Sequence, residues 1–135
     1  MIKIDGGCHC GQLRYEAEID PAKVEICHCE DCQVLSGTAF RVVVPVPEEA
    51  FRLTDGEPKT YVKTAESGAK RIQAFCSHCG SQIYATSATS GNRTFGLRVG
   101  TIRQRRTLVP SSQYWCKSAL PWLDTLPQMP KSVRE

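Results

Sequence analysis

"CHCGQLRYEAEI", residues 8–19, starts with two cysteines, passes at once through Gly11 and settles into an alternating run. Leu13, Tyr15, Ala17 and Ile19 alternate with Gln12, Arg14, Glu16 and Glu18, the period of a strand with one buried face. A second stretch, "CSHCGSQIYATS" at 76–87, repeats the arrangement with Cys76, Cys79 and Gly80. A tight turn that aims backbone N–H groups at sulfur commonly needs a residue with positive φ, and glycine adopts one at no steric cost. The two stretches therefore predict similar hairpin mouths facing each other. Together they would supply a closed, structural zinc site from Cys8, Cys10, Cys76 and Cys79. An ion held there would close a long loop and contribute directly to folding.

Strand signals continue along the chain. Val24 and Ile26 alternate, "FRVVVPV" at 40–46 reads as a more fully buried strand, and Pro45 predicts an edge or an end. Further strands are expected in "KTYVK" (59–63), "KRIQAFC" (70–76), "SQIYATS" (81–87), "RTFGLRV" (93–99) and "SSQYWC" (111–116), separated by turns at "TDGEP", "ESG" and "SGN". Helix signals are few: Glu30 to Gly37, closed by the glycine, and one turn at "PEEAF" (47–51). The proline-rich stretch after Ser118 is expected to lie irregularly against the body through Leu120, Trp122, Leu123 and Leu126. The fold class predicted is mainly β, of antiparallel sheets with few short helices, as a single domain over residues 1–135.

Composition supports a globular chain, with 41% hydrophobic and 23% charged residues among 135. No apolar run at the N-terminus has signal-peptide length, and "VVVPVP" is far too short to cross a bilayer. A cytosolic protein with reduced, metal-binding cysteines and no membrane association is expected. The formal charge is only +3, which is weak support for nucleic-acid binding. Four thiolates on one Zn²⁺ leave −2 and three on another leave −1, which would cancel it, so no nucleic-acid partner is predicted. The one basic cluster, Arg98, Arg103, Arg105 and Arg106, reads as a solvated strand end and turn, or else as an anion-binding patch for a carboxylate-bearing substrate.

The remaining cysteine group breaks the pattern. "ICHCEDCQV" at 26–34 holds Cys27, Cys29 and Cys32, with Gln33 where the other groups have glycine. Cys29 and Cys32 share a face where the chain enters a helix, and Cys27 ends a strand, so all three reach one point. Candidates for a fourth ligand are His9, His28, His78, Cys116, Glu30 and Asp31. His28 should point away from its cysteine neighbours, the two acids suit a helix first turn, the other histidines read as exposed, and Cys116 reads as a small buried hydrophobe. Three protein ligands with one exchangeable position define a catalytic zinc. Three thiolates overcompensate the ion, making it a weak activator of water and a better seat for an incoming thiol. A substrate sulfur attacking a small carbonyl electrophile is therefore expected, with a thiol and an aldehyde as small-molecule partners.

"GGCHCG", "CHCEDC" followed by "SG", "FCSHCGSQIY" and "SALPW" occur here in one order. In these motifs the chain resembles the glutathione-dependent formaldehyde-activating enzymes, the S-(hydroxymethyl)glutathione synthase family, over nearly its whole length. The resemblance implies a zinc-stapled "β-tent" fold similar to methionine sulfoxide reductase B and to a Rab-GTPase zinc chaperone. It also implies a carbon–sulfur lyase that condenses glutathione with formaldehyde. By family pattern Cys8, Cys10, Cys76 and Cys79 match the structural zinc ligands, and Cys27, Cys29 and Cys32 the catalytic ones. Ser36, Gly37, Ser118 and Trp122 match recurring positions, for the last of which packing is the expected reason. Two rival readings stand beside it: a non-catalytic zinc-stabilised binding or chaperone module, and a redox protein like methionine sulfoxide reductase working at the triad.

Overall fold

The computed structural model of the chain describes residues 1–134. Its strands run β1 (Ile2–Gly7), β2 (Arg14–Ile19), β3 (Glu25–Cys27), β4 (Arg41–Pro47), β5 (Phe51–Asp55), β6 (Lys59–Thr64), β7 (Lys70–Phe75), β8 (Gln82–Ser87), β9 (Thr94–Arg98) and β10 (Ser112–Tyr114). One α-helix, α1 (Glu30–Ser36), follows β3, and short 3-10 turns fill several connections. Gly37 closes α1 in the left-handed conformation, with its N–H donating to the Gln33 carbonyl.

Two sheets form, one of three strands in the order β1-β2-β5 and one of seven in the order β10-β3-β4-β9-β8-β7-β6. The mainly β class is as expected. Their facing surfaces make the core: Tyr15, Ala17 and Ile19 of β2 meet Val44, Val46 and Leu97 of the larger sheet. Phe51 locks the two together, its ring centroid 5.3 Å from Tyr15, 5.4 Å from Tyr84 and 5.2 Å from Phe95. Alternation then sends the neighbours of the core residues to the opposite face. Cys27 pairs with Arg41, and Val43 with Arg98, so these side chains lie on the face turned from the core. Nothing else in the fold matters as much for the site.

Several expectations need correcting. The sheets are not wholly antiparallel, because β10 runs parallel to β3 after a long excursion rather than a hairpin. Pro45 does not mark an edge strand; β4 lies inside the larger sheet, and Pro45 pairs with Gly96 of β9. The tolerance is local, since β3 starts opposite Val43 and leaves Pro45 beyond its pairing. The C-terminal stretch winds into a 3-10 run over Pro121–Gln128, covering Leu120 and Leu123 only in part and leaving Trp122 and Leu126 exposed. Packing within the chain is therefore a poor reason for Trp122. Two strands, β1 and β5, had no clear signal in the sequence.

Candidate metal centres

Cys8 and Cys10 sit in the connection between the paired strands β1 and β2, and Cys76 and Cys79 in that between β7 and β8. One hairpin belongs to each sheet, so the four sulfurs meet across the join. Gly11 and Gly80 adopt φ values of 85° and 79°, as the shared turn requires. The four Sγ atoms lie within 4.8 Å of one another, with Cys8 to Cys10 at 3.6 Å and Cys10 to Cys76 at 3.7 Å. An ion about 2.3 Å from four tetrahedral sulfurs, as zinc is in thiolate sites, separates them by about 3.8 Å. The donor set and spacing fit such an ion.

Backbone N–H groups aim at the sulfurs, from Leu13 to Cys8 at 3.2 Å and from His78 and Cys79 to Cys76 at 3.4 and 3.5 Å. Ser81 bridges the two mouths: its Oγ accepts from the His9 N–H at 3.0 Å and lies 3.3 Å from Cys79 Sγ. The Ser81 hydroxyl is the main reason that Cys79 is pulled down to about 5. Ser81 was invisible as a site residue in the sequence, where it reads only as the entry to a strand.

The second group comes from one segment. Cys27, Cys29 and Cys32 are half-buried, and their Sγ atoms lie within 4.8 Å of one another. Cys29 caps α1, its Sγ accepting from the Cys32 N–H at 3.2 Å. Burial pushes Cys27 and Cys32 up. Burial also opposes ionisation of Cys29, but the Cys32 N–H and the neighbouring thiols outweigh it and bring that thiol down. One thiolate with two thiols donating to it is the arrangement favoured without an ion.

None of the candidate fourth ligands joins this group among the described residues. His28 turns away, as expected, and is buried, with Nε2 2.8 Å from Gln113 Oε1 and its ring edge against Phe40. Asp31 pairs with Lys63 at 2.9 Å, and His9 and His78 are exposed. Cys116 is exposed and not the buried hydrophobe expected, because Trp115 before it takes a left-handed turn with φ 58°. Gln33 explains its place in the motif: its Nε2 donates to the carbonyls of His28 at 2.9 Å and Ser118 at 3.0 Å, tying the triad to the C-terminal segment. A cavity of about 520 Å³ lies beside the triad, walled by Cys29, Asp31, Lys63, Trp115 and Lys117. Lys117 Nζ stands 5.0 Å from the Trp115 ring centroid, which holds both side chains at this wall.

The basic cluster divides. Arg103 pairs with Asp5 at 2.8 Å, Arg105 donates to the Ile102 carbonyl at 3.2 Å and Arg106 is exposed, all features of a solvated turn. Arg98 instead reaches across the sheet, its Nη2 donating to Gln73 Oε1 at 3.0 Å.

The fold and site define a β protein of two sheets joined by one cysteine cluster that could hold a metal ion, with a second such cluster of three on the outer face. The chain belongs to the glutathione-dependent formaldehyde-activating enzyme family, whose model matches residues 3–118. It is 30% identical over 100 residues to an uncharacterized lyase of Schizosaccharomyces pombe, a match covering 70% of this chain and 66%, just under two thirds, of that protein. A crystal structure of a Rhodobacter sphaeroides protein shares the fold, with a TM-score of 0.62, 19% identity, and coverage of 81% of this chain and 98% of that one. No helix among the described residues is long and apolar enough to cross a membrane.

Proposed function

We propose that the protein joins a small thiol, glutathione or a close analogue, to formaldehyde or another small aldehyde at the Cys27–Cys29–Cys32 cluster. The observation that carries this reading is a three-sulfur group opening on a cavity, beside a four-sulfur group that has no need of a further ligand. Cys8, Cys10, Cys76 and Cys79 would hold a structural zinc, and the triad a second one with an exchangeable position. Zinc at the triad would supply a soft Lewis acid that favours the thiolate form of a substrate sulfur.

In the reaction a carbon–sulfur bond forms between the thiol and the carbonyl carbon. The thiol loses its proton, the carbonyl oxygen gains one, and no electrons leave or enter the pair. The chain's own residues orient the reactants. Trp115, Lys117 and the Lys63–Asp31 pair wall the cavity beside Cys29, and Glu30 and Glu66 share its lining, so Lys117, stacked on Trp115, would be the cation offered to a carboxylate of a peptide thiol. No protein nucleophile is required.

The test is two-dimensional exchange NMR on formaldehyde and glutathione mixtures. Catalytic amounts of protein should accelerate interconversion of free and S-hydroxymethylated glutathione, and Cys29→Ala should abolish the acceleration. Equal exchange rates with wild type and with no protein would defeat the reading.

A further inference from the structure

Arg41 is a buried guanidinium with no anionic partner. It is 5% exposed on β4, and register places it directly opposite Cys27 of β3. Its one polar contact is a long one, Nη1 to Gln73 Oε1 at 3.4 Å, while Nε and Nη2 are buried with no partner. Among the described residues no carboxylate forms an ion pair with it. The neighbour sharing Gln73 Oε1 is a second cation, Arg98. A desolvated charge in such a place is costly unless an opposite charge stands near it. Burial works against its charge, and the triad sulfurs beside it, when ionised, act in favour of it.

We propose that Arg41 is the counter-charge of the loaded triad, a positioning residue that sets how tightly the three thiolates hold their ion. This rests on the reading of the triad as a metal site. Three thiolates around a divalent ion carry −1, and one guanidinium beneath them neutralises that charge inside the sheet face. No equivalent cation serves the four-sulfur group among the buried residues, where the polar and charged side chains are His28, Arg41, Gln73 and Thr86. The excess negative charge there is met by backbone N–H groups. The second metal affinity should therefore depend on Arg41 and the first should not.

Competition of the zinc-loaded full chain against a chromogenic chelator resolves the two affinities. Arg41→Met should weaken the second by about ten- to a hundredfold, the usual span for groups that support metal ligands, and leave the first unchanged. Arg41→Lys, which keeps the charge, should recover most of the loss. Gln73→Glu sets a carboxylate against the guanidinium without removing it, and should weaken the second site as well even if Arg41→Met fails to fold. An unchanged second affinity in Arg41→Met, or in Gln73→Glu where Arg41→Met does not fold, overturns the counter-charge. A wild-type chain that binds only one ion overturns the reading of the triad instead.

Discussion

The two cysteine groups use one side chain in two ways. The four-sulfur group brings together hairpins 66 residues apart, one from each sheet, through turns that demand glycine. The triad is assembled by a strand end and the first turn of α1, and distant residues such as Arg41, Lys63, Gln113 and Ser118 support that segment without supplying a sulfur. The first group can therefore be part of the folding reaction, and the second can gain or lose its ion on a fold already made. That difference, more than ligand identity, is the ground for the proposed division into a structural and a chemical site.

The comparison can be broken most forcefully at the first group. Cys76→Ser should unfold the chain, because structural thiolate sites contribute on the order of 10 kcal/mol to folding and the whole domain has about that much to lose. Loss of far-ultraviolet β signal in circular dichroism would register it, and a native spectrum would show that the sheets hold without the clip. Cys29→Ala should lose one of two zinc ions by elemental analysis while keeping the native spectrum. Unfolding of that variant would erase the division of roles.

Acidity separates the groups more finely. Burial holds Cys27 and Cys32 above the ordinary thiol value, so both must release protons when an ion binds. Each proton displaced costs about tenfold in affinity per pH unit, so the triad should weaken by about a hundredfold for each unit of acidification. In the other group Cys10 is also pushed up, to about 12, but Cys8 and Cys79 are shifted down, so a smaller share of its thiols resists ionisation and its ion should persist to lower pH in a chelator titration. Release of both ions at the same pH would contradict this. The smallest effect expected is that of Gly80→Ala. A Cβ there meets nothing within 4 Å, so only the strain of φ 79° is felt, about 1 kcal/mol by chemical denaturation. Gln33, at the matching place in the triad, sits in a right-handed helix and has no such demand.

Much of this was legible in residue order. The alternation at Leu13–Ile19, the two glycine-flanked doublets and the helix from Glu30 to Gly37 each carry a local physical signature, and each is found where expected. What was not legible depends on partners far away in the chain. In "IKIDGG" the alternation of Ile2 and Ile4 with Lys3 and Asp5 stops after four residues at two glycines, and only Ile4 is fully buried, so the signal is too short to mark β1 without its pairing to β2. The apolar Phe51 and Leu53 of β5 are only partly covered and follow a helical turn, which hides the strand. Arg41 lies in "FRVVVPV", read as a more fully buried strand with no role for its charge, and only the register with Cys27 sets it beside the triad. Ser81 and Gln33 likewise gain meaning only from the groups they bridge.

On the proposed function the triad is one ligand short because a substrate sulfur takes that place. The most direct measurement is a crystal structure of the zinc-loaded protein soaked with glutathione. The glutathione sulfur should appear as the fourth ligand of the ion held by Cys27, Cys29 and Cys32, with the ion of Cys8, Cys10, Cys76 and Cys79 unchanged. A fourth protein ligand closing the triad, with glutathione bound elsewhere, would contradict it.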